Sequence, residues 1–301
     1  MSKEYQDVIS ILEKEGFPFE RKVRRELLKQ GIETVQSRYL IQKGEIEISK
    51  DIDILGNIHF KTYNPLKGDL RPNLSLRIVG EVKKLSGTKI CFYELDNEKP
   101  ENFLLRFPNL LNNCFNFVDY GGGDIVLSSF NKLFGKFPIS KTITCLIPNN
   151  HKYETKGNAP IYEASNNLAL ACEYWHKQEC LFFRDDLKIH ACFPVIFTEA
   201  ELLKITGVKC LKVHKVNLFI YLVACSDIDK VPITTKNKYY LPILIVNKTG
   251  IKKSIRLIKK ISEVLCKDME DLIKNEDCLK REYEDYKKIC GPIVKKRISN
   301  L

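Results

Sequence analysis

At Gly31 the spacing of apolar residues changes, and that change sets the class of fold open to this chain. Before it, apolar positions recur at helical intervals: Val8, Ile11 and Leu12 in a segment closed by Gly16, then Phe19, Val23 and Leu27 in a second. Pro18 suits a first helical turn because it has no N–H to leave unpaired, and Gly31 supplies the stop. The second helix is therefore predicted over Pro18 to Gln30. From Ile32 the period becomes two, the repeat of a strand with one buried face. Helices that give way to strands, with further helices later, predict an α/β domain with a mixed central sheet flanked by helices.

Thr34 to Ile41 reads as a strand, Gln42-Lys43-Gly44 as a turn and Glu45 to Leu55 as a second strand. In the second strand Ile46, Ile48, Ile52 and Ile54 share one face, while Glu47, Asp51 and Asp53 share the other. Gly56 to Asn73 has the Gly, Pro and Asn of a loop. Leu74 to Leu85 reads as a third strand, apolar on both faces around Leu76 to Val82, as expected of a central strand.

Residues 86–158 form a long insertion with strand patterns at Lys89 to Leu95 and Thr142 to Ile147. Gly121 to Gly123 lacks the Lys-Ser/Thr of a phosphate-binding P-loop and reads as a turn. Ala159 to Gln178 is predicted helical, Ile189 to Thr198 a strongly apolar strand and Glu199 to Ile205 a short helix. Val216 to Ala224 and Leu241 to Val246 follow as strands. Lys252 to Cys290 is mostly helical. The expected organisation is one domain over residues 1–250, with 86–158 inserted, and a helical extension over 251–301.

The 301 residues, 44% hydrophobic, suffice for a substantial core, and a 29% charged fraction is that of a globular chain. No apolar run approaches the ~20 residues of a membrane span, and Met1 to Glu15 lacks a signal-peptide pattern, so the expected address is cytoplasmic with no membrane association. Eleven cysteines without a C-x-x-C pair argue against a zinc site or a disulfide framework. Cys172, Cys192 and Cys225 lie among apolar residues, where a thiol acts as a small hydrophobe. A net charge of +11 favours a polyanionic partner.

The chemistry-bearing residues are Asp53 and the triplet Glu81-Val82-Lys83. Two residues apart on a strand, Glu81 and Lys83 leave the same face. If that face meets the Asp53 face of a neighbouring strand, two carboxylates and one ammonium converge. Magnesium takes oxygen ligands and keeps several waters, so one or two carboxylates can hold it. A nearby lysine can orient a water and offset charge developing on a phosphate. The bland alternative is a solvated strand end, since an E-x-K triplet arises often by chance. Here it closes the otherwise buried run Leu76 to Gly80, where a charge calls for a partner or a metal.

Three segments together resemble the PD-(D/E)xK, or restriction-endonuclease-like, nuclease superfamily. Gly16-Phe17-Pro18-Phe19-Glu20 with Val23, Leu27 and Gly31 is similar to its first core helix. Lys50-Asp51-Ile52-Asp53-Ile54-Leu55 resembles its aspartate strand, and Gly80-Glu81-Val82-Lys83 its E-x-K strand. The order of helix, hairpin strand, aspartate strand, E-x-K strand, helix and final strand also matches, with Ile189 to Thr198 as the last. Ile52 stands where a proline is usual, and Asp51 lies on the same face as Asp53. The resemblance implies a Mg²⁺-dependent endonuclease, with Mn²⁺ as a substitute, that hydrolyses phosphodiester bonds in DNA rather than RNA. It implies Asp53 and Glu81 as metal ligands, the Val82 carbonyl as a further ligand, Lys83 acting on the nucleophilic water and Glu20 as an auxiliary carboxylate.

Arg21, Lys22, Arg24 and Arg25 on the Glu20 helix, and Lys84, are either solvated or suited to a nucleic-acid backbone. Tyr162, Tyr174 and Trp175 read as packing residues before base-stacking ones. The rival function is a catalytically silent nucleic-acid-binding module of the same fold in a larger assembly. A homodimer or partner proteins are compatible with either.

Overall fold

The structure of the chain is a computed structural model, and it describes residues 3–14, 17–43, 46–59, 73–94, 111–113, 137–150, 152–182, 188–207, 210–224 and 240–275. Two helices, α1 (Lys3–Lys14) and α2 (Phe17–Lys29), precede the hairpin of β1 (Thr34–Lys43) and β2 (Ile46–His59). Strand β3 (Asn73–Lys83) pairs antiparallel with β2, and β9 (Lys188–Thr198) lies parallel beside β3 along its whole length. Between them in sequence runs the helix α3 (Ala159–Phe182). Parallel neighbours need such a crossover connection.

The first sheet has eight strands and continues from β9 to β13 (Tyr240–Asn247), β12 (Leu218–Ala224) and the two-residue β6 (Ile139–Ser140), with β5 (Leu111–Asn113) set against β9. It is mixed: β9 and β13 are parallel, β13 and β12 antiparallel. Pro194 sits in the middle of β9, where a residue without an N–H normally weakens a central strand. Its position explains the tolerance. On that side β5 pairs up to Ala191 and β13 from Val195, so Pro194 falls between the two partners.

Side-chain parity assigns the two faces. Arg77 of β3 lies over the ring of Trp175 on α3, 4.8 Å from its centroid, so the odd-numbered residues of β3 face that helix. The opposite parity of β2, Ile52, Ile54 and Ile58, is buried with Phe19, Val23 and Leu27 of α2. Beside α2 lies α4 (Ile251–Asn275), fastened where the Lys259 ammonium donates to the carbonyl of Gln30. Covered on both faces, β9 buries every residue from Cys192 to Thr198.

A second sheet of five strands has the order β11–β10–β4–β7–β8. Its strands β4 (Lys89–Tyr93), β7 (Ile143–Asn149) and β8 (Lys152–Gly157) come from one stretch of chain, and β10 (Glu201–Thr206) and β11 (Lys212–Val216) from another. The adjacent parallel strands β3 and β9 thus run on into a second adjacent parallel pair, β4 and β10, where Lys89 stands opposite Glu201. At the junction Glu199 N–H donates to Lys83 O at 3.4 Å and Glu201 N–H to Thr88 O at 3.0 Å. Stacked rings of Phe92 and Phe219, 3.9 Å between centroids, join the sheets.

Two expectations need correction. Glu199 to Ile205 was expected to be helical, and Glu201–Thr206 is strand β10. The Glu-Ala-Glu-Leu-Leu-Lys run has helical propensity, but pairing with both β4 and β11 buries Leu202 and Leu203, and tertiary context outweighs a weak local preference. The loop expected from Gly56 does not start there: β2 continues through Gly56 to His59. A Cβ at that glycine would stand 3.0 Å from the Ile32 side chain, so a residue without a side chain suits the close approach of β2 to the segment that links α2 and β1. Residues 60–72, Gly121 to Gly123, Cys225 and the stretch from 276 onward lie outside the described residues.

Candidate active site

The site grows from the register of β2 and β3. Ile54 stands opposite Gly80, so one step further along both strands brings Asp53 beside Glu81. Asp53 Oδ2 accepts the Val82 N–H at 2.7 Å. On the same face as Glu81, Lys83 reaches back, with Nζ 2.7 Å from Glu81 Oε2. The three residue types that the sequence singled out therefore meet at the end of β3, where the chain leaves the first sheet.

Burial governs the electrostatics. Glu81 is only 4% exposed, and desolvation pushes its carboxyl above the usual range. The Lys83 ammonium opposes that rise, while the charges of Asp53 and Glu163 reinforce it. Lys83 answers in the opposite sense. Desolvation acts to lower its pKa, but Glu81, Asp53 and Glu163 together outweigh it and hold the ammonium above its ordinary range. Lys83 is thus a cation in the resting protein.

Other residues sit around this core. Glu20 is ion-paired with Arg24 at 2.8 Å, and Arg24 donates through Nη2 to the carbonyl of Asp53. Glu20 is accordingly one residue removed from the carboxylates, tied to Asp53 through Arg24. Asp51, the competing aspartate, is exposed and paired across the hairpin with Arg38 at 2.8 Å. That leaves Asp53 as the aspartate of the site.

The sequence did not single out Glu163 or Tyr39. Glu163 lies near the start of α3 and reaches Glu81 and Lys83 through its charge. A carboxylate early in the helix after the E-x-K strand was the available signal. Tyr39 is fully buried on β1, its hydroxyl without a hydrogen-bond partner among the described residues. Its pKa is raised by burial and then by the charge of Glu81, which places it electrostatically on the site. Tyr174 and Trp175 make an edge contact at 5.2 Å, and Tyr174 a tilted one with Tyr39 at 6.5 Å. Tyr174 and Trp175 are both partly buried against the core, Trp175 under the Arg77 guanidinium of β3.

Among the described residues no group of three or more His, Cys, Asp and Glu side chains is placed to hold a metal ion. The donor set expected here is smaller: two carboxylates and the Val82 carbonyl. It fits a hard divalent cation in kind, since three carboxylates face one ammonium and the most buried of them is destabilised in its charged form. Among the described residues no helix is long and apolar enough to cross a membrane. No family model matches the chain, and no curated protein or solved structure matches it.

Proposed function

We propose that the chain is a metal-dependent nuclease of the restriction-endonuclease-like type, hydrolysing phosphodiester bonds in DNA. The observation that carries this reading is the meeting of Asp53, Glu81 and Lys83 at one strand end, with Asp53 locked against the Val82 amide. The order α2, β1, β2, β3, α3, β9, with β9 parallel beside β3, supports it as well.

Asp53, Glu81 and the Val82 carbonyl would hold Mg²⁺, or Mn²⁺ in its place; when bound, the ion supplies a Lewis acid for the phosphate and eases deprotonation of water. Lys83, kept protonated by its carboxylate neighbours, orients the attacking water and donates to a phosphate oxygen as charge builds there. Arg24 fixes the backbone from which Asp53 projects. In the hydrolysis, water oxygen bonds to phosphorus, one ester P–O bond breaks and the departing alkoxide ends as an alcohol.

The test is incubation of the purified chain with linear, supercoiled and single-stranded DNA, in Mg²⁺ or EDTA, beside Lys83→Ala. Cleavage that needs the metal and is lost in the variant is the expected result. One observation favours the silent binding module instead: the Lys83 ammonium already occupies an oxygen of Glu81. DNA retention without turnover on any substrate form would establish that module and overturn the nuclease.

A further inference from the structure

We propose that the exposed faces of α2 and α4 form a docking track for the phosphate backbone of a nucleic-acid duplex, outside the Asp53–Lys83 site. The occupant is taken from the nuclease reading above; the surface lies beyond it.

Charge distribution on α2 and on the first half of α4 is unlike that of the second sheet. Helix α2 carries five cations and two carboxylates, and both carboxylates are already paired, Glu20 with Arg24 and Glu26 with Lys29. Arg21, Lys22 and Arg25 are exposed and have no ion pair among the described residues. Over Ile251 to Ser262, α4 carries Lys252, Lys253, Arg256, Lys259 and Lys260 and no carboxylate. The second sheet, by contrast, sets cations against carboxylates: Lys204 with Glu94 at 2.6 Å, and Glu201 between Lys89 and Lys215.

The pattern costs the free protein stability. Lys252, Arg256 and Lys260 follow one another at four-residue steps on an exposed stripe, as do Arg21 and Arg25, and like charges at that spacing repel. Lys252 and Lys253 also stand in the first turn of α4, where the helix macrodipole is positive and a cation is unfavourable. An anion lying across the stripes relieves both penalties, and a polyphosphate does so with release of its counterions.

Position makes the two stripes one surface. Lys259 fastens α4 to the end of α2, and the pKa of Glu26 on α2 is lowered first by Lys29 and further by Lys252 of α4 and by Lys22. Both helices begin near the sheet end that holds the site. Arg24 of α2 touches Asp53, and α4 follows β13, whose Asn247 lies opposite Thr198 of β9. Two cationic rows side by side match the two phosphate strands of a duplex better than the one strand of a single chain.

The test uses the full chain in EDTA, so that binding is read without cleavage. Anisotropy of a labelled duplex and of the matching single strand is followed between about 50 and 200 mM salt. The triple variant Lys252→Gln, Arg256→Gln, Lys260→Gln is set beside a control, Lys152→Gln with Lys212→Gln, whose exposed lysines lie on the second sheet. In the triple variant, duplex affinity is expected to fall roughly tenfold or more at low salt, and the slope of log K against log salt to shrink by about 2.7, at ~0.9 per lost contact. The control keeps its slope apart from a small general charge effect.

Thermal midpoints accompany the titrations, and the triple variant is expected to melt close to the wild type, because relief of the repulsion along α4 offsets the lost attraction of Lys252 for Glu26. Single Arg256→Gln serves as a second variant if the triple does not fold. Equal losses per charge in both sets, or no loss, overturn the track. So does a loss confined to the single strand. Capture by phosphatidylserine vesicles that the triple variant abolishes, with duplex binding unchanged, would assign the surface to a membrane instead. A chain that cleaves nothing still answers this test, and a failed track leaves the nuclease reading standing.

Discussion

The Asp53 carboxylate stands in for a backbone carbonyl, accepting the Val82 amide at 2.7 Å just beyond the last paired residues of β2 and β3. Every backbone N–H in a buried setting needs a partner, and here the partner is also one of the two carboxylates proposed to hold a metal. One side chain therefore closes the ladder and orients the site.

These two duties separate on mutation. Asp53→Ala orphans the Val82 amide and is expected to destabilise the fold by about 1–3 kcal/mol. Asp53→Asn keeps an acceptor oxygen and should unfold near the wild-type urea midpoint, yet both variants should lose cleavage. Mg²⁺ at ~100 times its Kd should stabilise the wild type by about 2.7 kcal/mol and neither variant. An Asn variant as unstable as Ala would remove the structural half of this account.

Lys83→Ala leaves the Glu81 carboxylate buried without its cation. Since Lys83 is itself 29% exposed, the cost should be roughly 1–3 kcal/mol, below that of a fully buried pair. Adding Glu81→Gln should recover much of it. The deficit of the single variant also depends on pH. Burial raises the Glu81 pKa, so the penalty is felt above that pKa and fades as the pH falls through it. Chemical denaturation of single and double variants across the acid range checks both points. Cleavage by Lys83→Ala should drop about 10²–10³-fold.

Glu201 shows the opposite sign. Its pKa is lowered, mainly by the hydrogen bond from Lys215, so it contributes stability above its ordinary 4.5 that is lost as the pH falls through the folded-state value. Glu201→Gln should unfold more easily than the wild type at neutral pH, by a small margin because the pair is exposed, and match it in acid. Parallel stability curves for the two proteins would show that the β10 pairing does not depend on this carboxylate.

Gly80→Ala tests the strand spacing. A Cβ there would stand 3.1 Å from Ile54 Cβ and 3.3 Å from the Phe197 ring, tighter than ordinary contacts. We expect a loss of about 1–3 kcal/mol, together with reduced cleavage as β2 is pushed away and Asp53 shifts off Val82. Unchanged turnover in a destabilised variant would show that the two carboxylates are not set by this approach.

Parity carried much of the site from sequence alone. Alternation on two strands put Glu81 and Lys83 on one face and Asp53 opposite the isoleucines, and the register then brought these faces together. Local pattern says nothing about partners far along the chain, and that is where the reading fell short. Leu202 and Leu203 become strand residues only because β4 and β11 flank them. Glu163 and Tyr39 join the site from a helix and from the far strand of a hairpin, through folding that no short spacing encodes.

The doubled crossing from β3 and β9 into β4 and β10 has a mechanical consequence. A single connecting strand would let the second sheet swivel, but two strands running abreast act as a strap. A strap bends about one axis and resists twisting. Twisting is resisted here because Glu199 and Glu201 bond across the fold line itself, and the Phe92–Phe219 stack adds a further tie between the sheets. The residues that follow Lys83 are thereby held in one orientation relative to those that follow Thr198.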